Sequence, residues 1–294
     1  MRYPLERTTT KSKKGLKRWS TPALNKALFY CLVIIVVLVL FFPFYWMIAT
    51  SLQRLDRTYM SPPEFLQLHP RLANYPEAFV DKPVLRWLWN SCLVSSATTI
   101  FCILFSAFAA YSISRFRYRG RTLLSIIILS SQMFPGTLIV IPYYLLMSRL
   151  GLLDSYEGLI ITYISFTAPF CIWSLKGFFD SIPRSIEEAA WIDGCSRLRS
   201  LFQIVFPLAL PGIIATSLFA FLLSWHEFLF ARTLLSSITK WTIATGIASY
   251  VGEYYTTWPY VMAASTVTSI PVVIIFLVFQ KYLVAGLTRG AVKQ

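Results

Sequence analysis

His226 next to Glu227, and Glu187 and Glu188 followed by Asp193, are the places where this chain groups ionisable side chains closely enough to do chemistry. A histidine beside a carboxylate can begin general acid–base catalysis, but it needs a nucleophile or a third group within reach. His69, the other histidine, sits in a proline-rich stretch, and no Ser-His-Asp, paired-carboxylate or metal-ligand spacing accompanies either histidine. The five cysteines, Cys31, Cys92, Cys102, Cys171 and Cys195, form no C-x-x-C pair, so neither a disulfide framework nor a zinc site is expected. No G-x-x-x-x-G-K-[ST] phosphate cradle occurs either. Catalysis, a resident metal and a resident cofactor are therefore not expected. Glu227 with His226 reads as charge inside a membrane, either lining a polar path or making a structural contact with a partner, and both readings stay open. Trp225 beside them offers a ring for stacking on a sugar or for anchoring at an interface.

The membrane enters through composition: of 294 residues, 56% are hydrophobic and 14% charged, too apolar for a soluble domain of this length. Six apolar stretches are long enough to cross about 30 Å of hydrocarbon. They fall at 27–50, 90–112, 123–146, 159–179, 208–230 and 259–283. The third carries Gln132, Pro135, Gly136 and Pro142, so its helix is expected to kink or break. A broken helix within a bilayer is tolerated where protein or a water-filled path covers the freed backbone, which makes Gln132 and Pro135 candidate pathway residues with Trp225, His226 and Glu227.

Lys and Arg orient the spans, because they accumulate on cytoplasmic loops. With the N-terminus inside, 19 of the 27 basic residues lie on the inner side and 8 outside, whereas 5 acids lie inside and 8 outside. The formal charge of +14 is thus carried entirely by the inner face, where it opposes anionic lipid, and nucleic acid is not needed as a partner. The expected organisation is a basic cytoplasmic tail at 1–26, a six-span domain over 27–284 and a short cytoplasmic tail at 285–294. The apolar run after the basic tail is too long for a cleaved signal peptide and reads as a retained anchor.

The external loop 51–89 is rich in proline and aromatics and is expected to be either a folded cap with a short turn at "NYPEAF" or a connector. The loop 231–258 is apolar enough to dip into the membrane. On the inner side, the segment 180–207 is the odd one: a polar helix between two apolar runs. Ser185 and Glu188 have the spacing of a capping box, Ala189 and Ala190 give a low profile that lets another protein approach, and Gly194 offers a stop. Leu198, Leu201, Phe202 and Val205 then continue at helical spacing to Pro207 and Pro211. The physical reading is a rigid bracket that transmits force or position, or a capped helix resting on the membrane.

Glu188, Ala189 and Ala190, then Gly194, Ile204 and Pro207, resemble the EAA loop of ABC importer permeases with every spacing kept; Phe206 and Cys195 are mild departures. "NYPEAF", "MFPGTLIVIPYYLLMSRLGLLDS", "SIPRSIEEAAWIDG", "LSWHEFLFA" and "GLTRGAVKQ" resemble the carbohydrate branch, whose permeases are like the smaller membrane subunit of the maltose system. His226 stands where that branch more often has Asn. The resemblance implies an all-α, six-span type I importer permease in a prokaryotic cell membrane with both termini cytoplasmic. It implies that Glu188, Ala189, Ala190, Asp193 and Gly194 couple to an ATPase, and that ATP and Mg are bound by two partner ATPase subunits. A second permease, expected to be a different chain, an extracytoplasmic solute-binding protein and a carbohydrate substrate complete the set. A non-sugar solute such as glycerol phosphate, a polyol or a peptide is the nearest alternative; an ion-coupled carrier and a scaffold without transport are more distant ones.

Overall fold

The computed structural model describes residues 21–80, 82–252 and 255–291. Twelve α-helices carry the described fold: α1 Thr21–Ser51, α2 Asn74–Val80, α3 Val84–Arg115, α4 Arg121–Ser131, α5 Gly136–Arg149, α6 Tyr156–Asp180, α7 Arg184–Ile192, α8 Arg197–Ser200, α9 Phe206–His226, α10 Leu229–Leu234, α11 Ile243–Ala248 and α12 Trp258–Ala291. Extended pairing among the described residues is limited to one isolated bridge between Val251 and Thr256. The expected all-α membrane fold is what forms, for the physical reason that backbone N–H and C=O groups in hydrocarbon must be satisfied within the segment.

Five described segments are long and apolar enough to cross a membrane: 25–51, 84–115, 156–180, 197–226 and 258–282. The sixth expected span is a bent pair, since α4 and α5 meet at 99° across residues 132–135. The bend follows from local chemistry. Pro135 has no N–H to continue α4, and it takes the N-cap position of α5 with extended backbone. The boundary expected at 284 marks no break, because α12 continues to Ala291. Most of the basic tail expected at 1–26 lies outside the described residues.

The chain divides into two compact units, residues 1–46 and 47–294. In the first, every large apolar residue of α1 from Leu28 to Phe44 is exposed, a surface suited to lipid or to another protein. In the second, α3 packs against α6 and α9, and α9 against α6 and α12. Between the large buried residues at its ends, Trp87 and Tyr111, the buried face of α3 reads Asn90, Ser91, Val94, Ser95, Thr98, Cys102, Ser106, Ala107 and Ala110. These are mostly small residues at three- and four-residue spacing, which let helices approach without a hydrophobic driving force between them. Hydroxyls within the helices close on the carbonyl four residues back, as Thr162 does on Gly158, Thr216 on Gly212 and Ser224 on Ala220.

Cores lie toward both ends of this bundle. One gathers Trp87, Tyr163, Leu159, Phe230 and Trp241; the other gathers Tyr111, Leu175, Phe179, Leu201 and Val205. Over the first, residues 231–252 form short helices fastened to the bundle by polar bonds. Trp87 Nε1 donates to the Ile238 carbonyl at 2.7 Å, and the Asn90 amide donates to the carbonyls of Thr239 and Trp241, both at 2.9 Å. Gly246 lies so close to the Trp87 ring that a Cβ there would stand 2.0 Å from it. The proline-rich loop is likewise folded: α2 includes "NYPEAF", and Asn74, fully buried, donates to the carbonyls of Ser51 and Gln53. Arg71 grips Glu77 through two bonds of 2.7 Å, and Tyr260 donates to the same carboxylate at 2.6 Å.

Candidate functional site: a cleft at the α4–α5 bend and a bracket at the other end of the bundle

A cleft of about 550 Å³ opens where α4 and α5 bend past α6, α9 and α10. Gln132, Thr137, Tyr143, Ser165 and Glu227 line it together with Phe166, Phe170, Phe219 and Phe230. The aromatic lining is built from pairs: Phe170 and Phe219 have ring centroids 3.8 Å apart, and Phe166 stacks on Phe230 at 5.3 Å. A mostly aromatic wall with a few convergent polar groups is the ordinary chemistry of a small-molecule site.

Glu227 ends α9 and starts α10. Its Oε1 accepts from the Phe230 N–H at 2.9 Å, and its Oε2 accepts from the Ala231 N–H at 3.0 Å and from the Tyr163 hydroxyl at 2.7 Å. The negative charge is thereby held by the free N–H groups of a new helix, where the local dipole favours it. Glu227 lines the cleft, and its structural bonds here lie within its own polypeptide, where it fixes the break between α9 and α10. Gln132 lines the cleft from the end of α4, and Pro135 borders it as the N-cap of α5. Trp225 and His226 do not line it. Trp225 is buried and stacks on Phe221 at 5.5 Å, and His226 is exposed, with Nδ1 donating to the Leu222 carbonyl of its own helix at 2.9 Å.

At the other end of the bundle, α7 projects as a short exposed helix. The expected capping box does not form: Pro183 occupies the N-cap, so Ser185 falls inside the first turn, exposed and too late in the chain to cap it. The C-terminus behaves as expected of a glycine stop. Gly194 adopts φ +83°, its N–H donates to the Trp191 carbonyl at 3.1 Å, and the Cys195 N–H donates to the Ala190 carbonyl at 2.9 Å. Glu188, Ala189, Asp193 and Gly194 are exposed and Ala190 is half-buried, so all five residues are accessible, spread around the C-terminal half of α7. The following segment is one rod from Arg197 to His226 with a π turn at Leu201–Val205, where the Phe206 N–H reaches back five residues to the Leu201 carbonyl. Pro207 and Pro211, which cannot donate to the ladder, lie just beyond it.

The neighbouring carboxylate does something sequence reasoning missed. Glu187 is buried, 1% exposed, and accepts from the Tyr111 hydroxyl at 2.8 Å. Its other oxygen is ion-paired with Arg115 Nε at 2.5 Å, without the alignment of a hydrogen bond. Arg115 also donates to the Ile182 carbonyl, Arg184 donates to the Ser114 carbonyl, and the Ser114 hydroxyl donates to Asp180. The available signal was slight: Arg115 opens the basic "RFRYRGR" run, where charge counting alone explains it.

Residues 102–289 match the family described as "Binding-protein-dependent transport system inner membrane component". The chain belongs to that family. The matched stretch contains α7, the α4–α5 bend and Glu227, that is, both candidate sites of this permease. The permease is 38% identical over 252 residues to the sulfoquinovosyl glycerol transport system permease protein of Agrobacterium fabrum, covering 86% of this chain and 88% of that one. It is 36% identical over 264 residues to the trehalose/maltose transport system permease protein of Thermococcus litoralis, covering 88% and 94%. Its fold superposes on a chain of a bacterial ABC transporter that imports the acidic polysaccharide alginate, with a TM-score of 0.77, 25% identity and coverage of 92% and 99%. It is a multi-pass membrane permease of the ABC importer class.

Proposed function

We propose that this permease carries a sugar or sugar-like solute into a prokaryotic cell. The observation that carries this reading is that relatives at 36–38% identity along nearly their whole length are named for glycosyl solutes. The cleft is chemically compatible: aromatic faces at Phe170 and Phe219 suit the apolar faces of a pyranose, while Gln132, Thr137, Tyr143 and Ser165 supply groups for hydroxyls. Gln132, Pro135, Trp225, His226 and Glu227 are the pathway residues of this reading; Gln132 and Glu227 line the cleft, Pro135 shapes the bend, and Trp225 and His226 stand outside the lining.

The second part of the proposal is the coupling. The accessible end of α7, with Glu188, Ala189, Ala190, Asp193 and Gly194, docks on a cytoplasmic ATPase subunit, with small side chains permitting close approach and carboxylates available to basic groups. Two such subunits bind ATP and Mg, a second and different permease completes the path, and a solute-binding protein delivers ligand from outside. The end of the bundle bearing α7 and both termini are then cytoplasmic, as the excess of basic residues there favours. Closure of the ATPase pair switches the path between two access states.

Uptake of labelled trehalose, maltose, sulfoquinovosyl glycerol and alginate oligosaccharides into vesicles holding the full complex tests this, with glycerol phosphate, a polyol and a peptide as controls. ATP-dependent uptake of a sugar, abolished by Gly194→Asp while basal ATP hydrolysis persists, is the expected result. Uptake that ignores ATP and survives the substitution would leave an ion-coupled carrier.

A further inference from the structure

The hydrogen bonds and the ion pair that side chains of α7 make to another helix run to one place, the last turns of α3. Glu187 is bound by Tyr111 and Arg115, Arg115 holds the Ile182 carbonyl, Arg184 holds the Ser114 carbonyl, and Ser114 holds Asp180. The ion pair is dry, with side chains 5% and 1% exposed, so its two charges have no water to exchange with and are held to one geometry. Tyr111 is itself fixed edge-on by Phe116 and Phe179, with centroids 6.0 and 6.3 Å away. Toward α9 the connection is of another kind. The chain passes a left-handed Gly194, the short α8 and the π turn; Arg197 of α8 lies over the Trp191 ring at 4.9 Å and over Phe116 at the end of α3 at 5.0 Å, and among the described residues no hydrogen bond or ion pair joins an α7 side chain to α9.

We infer that Glu187, Arg115 and Tyr111 are positioning residues of the coupling step: they lock α7 to α3, so that a displacement of α7 is delivered to α3 and not through the covalent connection to α9. α3 is suited to receive it. The helix is 32 residues long, about 48 Å at 1.5 Å per residue, and its opposite end holds the loop 236–242 through Trp87 and Asn90. It packs on both α6 and α9 along the way. A push at α7 therefore reaches the core of the bundle and its far rim through a single rod. Two discrete arrangements of such a rod are what coupling between distant sites requires.

This inference rests on the reading of α7 as the ATPase-docking helix, and the test separates the two. Hydrogen exchange is followed by mass spectrometry in the full complex, with and without ATP and vanadate, over residues 108–118 and 184–194. In the wild type, nucleotide changes exchange in both segments. In Glu187→Gln the response of 184–194 persists while that of 108–118 falls at least threefold, and Tyr111→Phe, which keeps the packed ring and deletes only the hydroxyl, gives a smaller loss in the same segment. A lock that served stability alone would raise exchange in both segments without nucleotide and leave their nucleotide responses in step, which overturns the inference. Should Glu187→Gln fail to assemble, Tyr111→Phe decides: an undiminished response at 108–118 overturns the inference. A wild-type complex in which 184–194 ignores nucleotide sinks the docking reading, and this inference with it.

Discussion

Tyr163 and Glu227, 64 residues apart in the chain, meet through a 2.7 Å hydrogen bond at the inner wall of the cleft. The tyrosine is fully buried, so its hydroxyl has no water as an alternative partner and the carboxylate has three donors in all. Removing the hydroxyl in Tyr163→Phe is expected to cost about 1–3 kcal/mol, the ordinary loss for an unmade buried bond to a charge. Glu227→Gln gives up part of the α10 cap as well and is expected to be the worse of the two for both stability and uptake. Thermal unfolding of the solubilised complex ranks them; a Glu227→Gln protein as stable as wild type would remove Glu227 from its role as the start of α10.

Asp154 gives a dependence on acid. Burial raises its pKa, but bonds from the Ser237 hydroxyl and N–H and from Lys240 outweigh this and hold it down to about 2. A depressed carboxyl pKa contributes stability in full above its unfolded value of about 3.9 and loses it as pH falls toward 2. The contribution is on the order of 2 kcal/mol. Protease susceptibility of the loop 235–242 is expected to rise between pH 4 and pH 2 in the wild type, and to be raised already at neutral pH, without that step, in Asp154→Asn.

Gly194 separates backbone from surface. Nothing lies within 4 Å of where a Cβ would be, so substitutions there are opposed by φ +83° alone. Asn tolerates that conformation, whereas Val does not, at a cost of about 1–2 kcal/mol. Gly194→Asn, which lacks the charge that Gly194→Asp brings to the docking surface, is expected to retain most uptake, and Gly194→Val to lose it by distorting the end of α7, with transport assays on the variants as the check. Equal loss in both would mean that the space above the glycine, and not its backbone, is what the partner needs.

Gly246 is the opposite case. A methyl group there collides with the buried Trp87 ring, part of the same core that holds Tyr250 and Trp241 edge-on and tilted. Gly246→Ala is expected to destabilise by about 1–3 kcal/mol, typical of an overfilled core. The double variant with Trp87→Leu recovers part of this loss in a thermal unfolding series if the collision is the cause.

The helical spans were legible because a bilayer leaves apolar length as the dominant signal, and the bend at Pro135 was legible because a missing N–H acts locally. The stop at Gly194 was readable for the same reason. What escaped depends on partners remote in the chain. Nothing around Glu187 distinguishes it from Glu188, yet one is buried against Arg115 and the other is exposed. Trp225 and His226 stand beside Glu227 in sequence yet do not line the cleft with it, because α9 ends at His226 and the chain turns extended at Glu227. The fastening of residues 236–242 to Trp87, Asn90 and Asp154 was likewise illegible, since those bonds leave no local trace.

The π turn at Leu201–Val205 has an evolutionary reading. A π turn is a helix carrying one surplus residue, absorbed locally so that everything after it keeps its facing. Deleting a single residue there restores a regular helix and leaves Gly212, Thr216 and Glu227 directed as before. The same deletion anywhere from 212 to 226 would swing the remainder of α9 by a quarter turn or more. The foot of this helix can therefore lose a residue while its head stays in register.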